Sequence, residues 1–206
     1  SLGLEREDPA GLYTYSRAYG GDNANALNVG NADVNVGEGI AVSYSADDFS
    51  IGVSFEDPLG TDTTDTDKLN TTISVSYTGI ENLSIGGGVS SSNGATTEGD
   101  ITNVHATYNA GKALIAVEFT ELDALLAAND VDATTVLLDY DVSDKVGLVI
   151  RYSEEDGSTA ALDNEKLTIA PNYAITDNLG AILEFSDGEV GGADAESVAL
   201  ELTLTF

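Results

Sequence analysis

Cysteine is absent from this chain of 206 residues, and histidine occurs once. Without thiols there can be no disulfide, thiolate zinc site or cysteine nucleophile, and one imidazole cannot build a multi-histidine metal site. Basic residues are also scarce, with 7 Lys and Arg against 36 Asp and Glu, for a formal charge of -29. No basic surface for nucleic acid is expected, and neither is a tightly held cofactor.

Long hydrophobic runs are missing as well, so the sequence predicts no transmembrane helix. Apolar and polar residues instead alternate in short segments, as in strands with one apolar face. We count eleven such segments: Ile40 to Tyr44, Phe49 to Phe55, Leu69 to Tyr77, Leu83 to Val89, Val104 to Tyr108, Ala113 to Phe119, Val136 to Tyr140, Val146 to Tyr152, Leu167 to Tyr173, Leu179 to Phe185 and Val198 to Phe206.

Aromatic residues lie at the ends of the apolar faces, and tyrosines recur about every 32 residues just before a short turn, which indicates a repeated β-hairpin. A propeller or β-solenoid can share that period, but here the second face of each strand is small and polar. Lipid on one face and water on the other explain both faces. The expected interface aromatics at the short-turn end are Tyr44, Tyr77, Tyr108, Tyr140, Tyr173 and Phe206, and those at the other end are Phe55, Phe119, Tyr152 and Phe185.

These features predict an all-β fold, an antiparallel up-and-down transmembrane β-barrel. They resemble a Gram-negative outer-membrane porin, with short turns on one side, long loops on the other and a final strand ending in Leu202-Thr203-Leu204-Thr205-Phe206. The carboxyl-terminal phenylalanine resembles the signal read by the barrel-assembly machinery. Near the start, Gly3-Leu4-Glu5 and Tyr15-Ser16-Arg17 resemble the type-2 family of β-barrel porins. The resemblance implies an outer-membrane location, lipid and lipopolysaccharide as neighbours, and a homo-oligomer of three chains.

An odd number of strands is unusual for a single-chain bacterial barrel, which normally closes with an even number. We therefore expect twelve or more strands in the complete barrel, with amino-terminal strands missing from this sequence. Residues 38–206 are expected to form the barrel hairpins, and residues 1–37 an amino-terminal segment and loop.

The polar face is expected to line a water-filled lumen for passive diffusion of ions and small hydrophilic solutes. Counting from the short turns places four charged side chains at one level, where a transverse field could tune ion selectivity. The alternative is that the two cations only neutralise carboxylates on the wall. The expected pore-lining residues are Glu118, Arg151, Lys166 and Glu184 at that level, Asp139 and Glu201 below it, and His105.

Acidic residues cluster in the expected long loops, so the mouth of the pore should attract cations and give a weak cation preference. Ca²⁺ or Mg²⁺ could bind there weakly, although a solvated acidic surface is the simpler reading. One loop, from Glu121 to Asp132, has leucines at helical spacing and could fold inward as a constriction or form an external cap. Its acidic residues are Glu121, Asp123, Asp130 and Asp132.

Catalysis is not expected, because His105 is the single imidazole and is predicted to face the lumen. Lipid-cleaving sites on barrels face outward at the bilayer surface. The alternative to a diffusion channel is a secreted or surface-layer acidic β-rich protein, structural or adhesive, whose apolar face packs on another sheet.

Overall fold

The computed structural model describes residues 39–56, 69–92, 99–124 and 130–205. These residues form eleven strands: β1 (Gly39–Ala46), β2 (Phe49–Glu56), β3 (Asn70–Ile80), β4 (Leu83–Ser92), β5 (Gly99–Ala110), β6 (Ala113–Ala124), β7 (Val131–Asp141), β8 (Val146–Gly157), β9 (Asn164–Ala174), β10 (Leu179–Val190) and β11 (Ala193–Leu204). The eleven strands predicted from the alternation are confirmed. The expected amino-terminal segment and Phe206 lie outside the described residues.

All eleven strands belong to one antiparallel sheet, in which each strand pairs with its neighbours along the chain. This up-and-down order is the predicted one, and it needs no crossover connection. Within the described residues β1 pairs with β2 and β11 with β10, so these two strands form the edges of the sheet and do not close it on each other.

The two faces of the sheet have opposite exposure. On β8, Gly147, Val149, Arg151, Ser153 and Glu155 are buried, and the residues between them are more exposed. Because successive side chains of a strand point to opposite faces, this pattern separates an inward face from an outward face. The same parity continues across the sheet through the register of the strand pairs.

The outward face is apolar and exposed, the reverse of what a sheet in water shows. On β11, Val198 is 69% and Leu200 67% exposed. The tyrosines at the short-turn ends are exposed on this face as well: Tyr44, Tyr77, Tyr108, Tyr140 and Tyr173. The alternative in which the apolar face packs on a second sheet is therefore wrong for the described residues, since their strands all belong to one sheet. No helix in the described ranges has the length and hydrophobicity needed to span a bilayer.

The short turns have local causes. Asp47 (φ 48°) and Asn82 (φ 64°) take the left-handed backbone that two-residue hairpin turns require, and both residue types tolerate it. Between β7 and β8, Ser143 Oγ accepts hydrogen bonds from the backbone N–H groups of Lys145 and Val146, at 3.3 and 3.2 Å. Thr176 Oγ1 does the same between β9 and β10.

Several strands extend beyond their apolar stretches. β6 runs to Ala124 rather than ending near Phe119, and β8 runs to Gly157. β10 continues to Val190 and joins β11 through Gly191 and Gly192, both at positive φ, so the long acidic loop expected there is a tight hairpin. The hydrogen-bond ladder therefore continues where the outward residues change from apolar to acidic.

Candidate functional site

The inward face of the sheet, which we call the inward wall, is polar although it is buried. Most of its buried polar side chains are short hydroxyl groups, and the buried charged ones lie on β6, β8 and β10. Its buried polar residues are Ser54, Thr72, Asn103, Thr107, Glu118, Thr120, Thr135, Arg151, Ser153, Glu155, Thr168, Glu184 and Ser186. A wall of this composition borders a polar interior, whereas the outward face suits lipid.

Hydroxyl groups on neighbouring strands pair across the inward wall. Such cross-strand pairs satisfy buried oxygens and stabilise the sheet. The pairs are Ser50–Ser76 at 2.6 Å, Thr72–Ser90 at 2.9 Å, Thr135–Ser153 at 3.4 Å and Thr168–Ser186 at 3.0 Å between side-chain oxygens. The inward residues from Ala41 to Ser54 and from Thr72 to Ser90 on strands β1 to β4 are uncharged.

Glu118, Arg151 and Glu184 all lie on the inward wall and are buried, with Arg151 only 2% exposed. The register does not set them directly opposite one another. Glu118 shares a row with His105 and Thr135, Arg151 shares the next row with Leu137 and Thr168, and Glu184 faces Ala199 in a third. The row of Arg151 is therefore two residues along the strands from the row of Glu118, and the row of Glu184 is two residues further.

Arg151 and Glu184 interact electrostatically across the intervening strand β9. Nη1 of Arg151 and Oε2 of Glu184 are both buried and have no hydrogen-bond partner. The other carboxylate oxygen of Glu184 accepts a hydrogen bond from Ser186 Oγ at 3.3 Å, and Ser186 in turn contacts Thr168. The sequence predicted that these two charges lie in one region of the wall, but it did not indicate that each side chain would have a buried atom without a hydrogen-bond partner.

A second polar cluster joins β5 to β6. Asn103 Nδ2 donates hydrogen bonds to Glu118 Oε1 and Thr120 Oγ1, both at 2.8 Å. His105 Nδ1 lies 3.1 Å from Asn103 Oδ1. On the other side, the imidazole lies over Gly86 of β4, where a Cβ would be 2.5 Å from His105 Nε2. Sequence reasoning missed Asn103, although its parity on β5, two residues before His105, marks it as inward.

The remaining predicted lumen residues lie on the inward wall with different exposure. Asp139 and Lys166 are half-buried, with Lys166 opposite Ser153 and Gly188. Glu201 is exposed, because it lies on the edge strand β11, and it accepts a hydrogen bond from Thr203 Oγ1 at 3.0 Å. Glu155 of β8 is a further buried carboxylate of this wall, and it accepts a hydrogen bond from Asn164.

Apolar residues also occupy part of the inward wall. A cluster of Ala116, Leu137, Val149 and Ala170 is buried, with Leu114 and Ile182 packed against it. The sequence assigns these positions to the inward parity, but the lumen was expected to be polar throughout. Leu137 lies directly opposite Arg151, so apolar and charged side chains share one row of the wall.

The segment from Glu121 to Asp132, predicted to be a loop that forms either a constriction or an external cap, is partly strand. Glu121 and Asp123 are strand residues of β6, and Glu121 pairs with Asp132 of β7. All three are exposed, with the parity of the outward face, so they do not project into the lumen. Asp130 is half-buried just before β7. Residues 125–129, which contain two of the leucines, lie outside the described residues.

These carboxylates belong to an outward group that we call the acidic belt. It lies beyond the apolar band at the end opposite the short turns, and many of its members face each other across neighbouring strands. The facing pairs are Asp100–Asp123, Glu121–Asp132, Asp132–Asp156, Glu154–Glu165, Glu165–Glu189, Glu189–Asp194 and Asp187–Glu196. Among the described residues, no three or more acidic or histidine side chains are arranged to hold a metal ion.

Comparison with known proteins identifies relatives of this fold. The family model for Gram-negative porins matches residues 5–193. A loop-deletion mutant of OmpT, an outer membrane protein of Vibrio cholerae, is 22% identical, with a TM-score of 0.62 over 92% of this chain and 69% of the other. The trimer form of that OmpT is 21% identical, with a TM-score of 0.61 over 99% of this chain and 71% of the other.

A triple mutant of the Rhodopseudomonas blastica porin is 17% identical, with a TM-score of 0.64 over 85% of this chain. The chain spans 57% of the length of that porin. No curated protein matches the sequence. At these identities the structural likeness establishes the fold, an outer-membrane β-barrel, and the family match rests on the sequence itself.

Proposed function

Because this chain belongs to the Gram-negative porin family, we propose that it forms a water-filled channel in the outer membrane for passive diffusion of ions and small hydrophilic solutes. One observation carries the proposal: the apolar face of the sheet is exposed, and the polar face is buried. A protein with that arrangement contacts lipid on its outside and encloses a polar interior. The proposal includes no catalytic activity, and family membership favours a channel over an enzyme.

The channel weakly prefers cations. The described inward wall has more carboxylates than cations: its acidic residues include Glu118, Asp139, Glu155, Glu184 and Glu201, and its cations are Arg151 and Lys166. An excess of fixed negative charge raises the local concentration of cations over anions. The position of Arg151 beside Glu184 supports a local transverse field, and it is also compatible with simple neutralisation of that carboxylate.

A planar bilayer experiment tests both parts of the proposal. Purified protein in a KCl gradient should open in steps, with a zero-current potential of the sign for a cation-selective pore. Arg151→Gln and Lys166→Gln should each raise the ratio of K⁺ to Cl⁻ permeability about two- to threefold, and Glu184→Gln should lower it by a similar factor.

Lys112→Gln is the matched control, because Lys112 is exposed at a short turn, away from the inward wall. It should leave the ratio nearly unchanged. Folded, inserted protein that conducts no current would overturn the diffusion channel. If the Lys112 variant changes selectivity as much as the inward-wall variants, the inward charges do not set it.

We also propose that the protein assembles as a trimer. The fold match to the trimer form of the Vibrio cholerae protein supports a homo-oligomer. The exposed apolar outward face supplies the surface that copies could share within the membrane. Mass measurement of the protein–detergent complex should give three chains, and a mass of one chain at all protein concentrations would contradict this assembly.

Weakly bound Ca²⁺ or Mg²⁺ at the acidic belt is a further proposal, with lipopolysaccharide as the neighbour. Carboxylates directly opposite each other destabilise a sheet, and divalent cations favour such oxygen ligands. Two protein carboxylates and a lipid phosphate could complete one cation's shell. Adding a chelator to protein in lipopolysaccharide-containing vesicles should lower its melting temperature by a few degrees. Glu154→Gln with Glu165→Gln should reduce that effect, and an equal effect in lipid without lipopolysaccharide would exclude lipid bridging.

The barrel-assembly machinery is the expected partner during insertion. β11 presents Val198, Leu200, Leu202 and Leu204 on its exposed outward face, and the sequence alternation continues to Phe206. Phe206→Ala should reduce the amount of folded protein in the outer membrane, measured by heat-dependent gel mobility. Unchanged amounts would argue against recognition of this terminal residue.

A further inference from the structure

His105 is the single histidine of the chain, and it lies on the inward wall in a fixed setting. Histidine is the side chain whose ordinary pKa, about 6.5, puts its change of charge between pH 5 and 8. His105 is half-buried, so its ring is partly accessible from the interior of the channel. The hydrogen bonds around it determine which nitrogen does so.

Asn103 identifies that nitrogen. Its Nδ2 group donates to Glu118 Oε1 and Thr120 Oγ1, so its Oδ1 is left as the acceptor towards His105. The reversed amide would bring an oxygen against the Glu118 carboxylate, which has no proton to donate when ionised. Therefore Nδ1 of His105, 3.1 Å from Oδ1, carries a hydrogen in both charge states. Nε2, which lies over Gly86, is then the nitrogen at which a second proton would bind.

The neighbouring strands contribute one charged group. On β4, the inward residues beside His105 are Ser84, Gly86 and Gly88, all uncharged. On β5 itself, the inward neighbours are Asn103 and Thr107. On β6, the register partner of His105 is Glu118, and the inward residues on either side of it are Ala116 and Thr120. Glu118 is thus the titratable group facing His105 from the described strands packed against it.

We propose that His105 is a selectivity residue that makes the cation preference of the channel depend on pH. Its protonation at Nε2 adds a positive charge in the row of Glu118 and offsets that carboxylate. The inference rests on the proposed diffusion channel, because it concerns the ions that pass the inward wall. At pH values above the pKa of His105, the wall keeps its full excess of negative charge. At pH values below that pKa, the imidazolium cancels one unit of the excess.

The expected size follows from one charge beside the ion path. In a medium like water, at a distance of about 7 Å and 0.1 M salt, a unit charge changes the local concentration of a monovalent ion by somewhat under twofold. Cations decrease and anions increase, so the ratio of K⁺ to Cl⁻ permeability should fall about threefold between pH 8 and pH 5.5.

The test measures zero-current potentials of single channels in a KCl gradient at half-unit steps from pH 8 to pH 5.5. The wild-type protein should show one sigmoidal decrease in the permeability ratio. His105→Gln keeps a donor towards Asn103 without a titratable nitrogen, and its ratio should stay at the high-pH value. His105→Lys should stay at the low value, because its charge is constant in this range.

A decrease of the same size in the glutamine variant would overturn the assignment while leaving the channel proposal standing. Absence of any conductance from inserted protein would instead overturn the channel itself. Nitrogen NMR of the wild-type barrel gives a reading that needs no variant. The imidazole should titrate at Nε2 with Nδ1 protonated throughout, and a ring that does not titrate between pH 5.5 and 8 would refute the inference.

Discussion

Replacing Arg151 by glutamine removes the positive charge that interacts with Glu184. The substitution keeps a side chain of similar reach and polarity, so the main loss is electrostatic. Arg151 is 2% and Glu184 6% exposed, and both therefore have little access to water in the folded barrel. With Arg151 gone, Glu184 is left as a buried carboxylate without its compensating charge.

Removing one partner of a buried ion pair costs about 3–5 kcal/mol, mainly because the other charge remains desolvated. Arg151 and Glu184 interact electrostatically, but Nη1 and Oε2 have no hydrogen-bond partner, so we take the lower end of this range. Arg151→Gln should then reduce the free energy of unfolding by about 3 kcal/mol, and Glu184→Gln by a similar amount. The double variant should lose less than either single variant, because two neutral amides leave no isolated buried charge.

Urea unfolding of the barrel in lipid vesicles, followed by circular dichroism, measures these differences. The chain has no tryptophan, so the common fluorescence assay is not suitable. Lys112→Gln serves as the control for loss of a positive charge at an exposed turn, and it should change stability by less than about 0.5 kcal/mol. Gel mobility before and after heating verifies that each variant starts from the folded barrel.

Additive effects of the two single variants, within about 0.5 kcal/mol, would refute the reasoning. Such a result would mean that Arg151 and Glu184 are hydrated independently in the folded state. It would also remove the basis for treating them as one electrostatic unit of the channel.

Two further substitutions test the packing of the sheet and the second polar cluster. Gly188→Ala should cost about 1–3 kcal/mol, because its Cβ would overlap the carbonyl oxygen of Glu165 on β9. Gly180→Ala on the same strand, with no atom within 4 Å of the new Cβ, should be neutral or slightly stabilising in the same urea assay, and equal losses at both sites would contradict the close approach. Asn103→Leu should cost about 1–3 kcal/mol, because Glu118 loses a buried hydrogen-bond donor. A stability equal to wild type would show that water replaces the amide.

Alternation of apolar and polar residues was sufficient to predict all eleven strands and their order. On β8 the inward and outward residues follow from parity alone, and the structure has them on those faces. The short turns were also recognisable, because residues such as Asp47 and Asn82 suit positive φ. These features are local, so a single sequence contains the information for them.

Strand ends were harder to predict. The apolar pattern on β6 stops at Phe119, while the ladder continues through Glu121 and Asp123 to Ala124. An outward strand residue above the bilayer meets water and is acidic, as a loop residue would be. Hydrophobicity therefore cannot separate strand from loop there, and the expected constriction loop was placed on strand residues.

The site was predictable as a set of inward charges but not as a set of contacts. Counting from the turns identified Arg151 and Glu184, because parity and distance along a strand determine the region that they share. The bonds of Asn103 to Glu118 and Thr120 depend on the register between β5 and β6, which no single strand contains. The apolar inward cluster around Leu137 was likewise visible by parity but had no sequence signal for its burial.

The acidic belt and the short-turn lysines together determine how deeply the protein sits in its membrane. Lys112 and Glu121 on either side of the β6 apolar stretch are nine positions apart in the sequence, which is about 30 Å along the strand. At a strand tilt of about 40°, this is about 23 Å along the membrane normal, close to the apolar height of about 25 Å typical of such barrels.

This fit leaves little freedom for vertical displacement. Movement that draws the short turns into the membrane brings Lys112 and Lys145 to the hydrocarbon, and long lysine side chains can still reach the headgroups. Movement in the opposite direction would immerse the acidic belt, a row of carboxylates carried by neighbouring strands from β5 to β11. Resistance to displacement is therefore unequal in the two directions, and in a thicker bilayer the surrounding lipid must adapt while the barrel keeps its level.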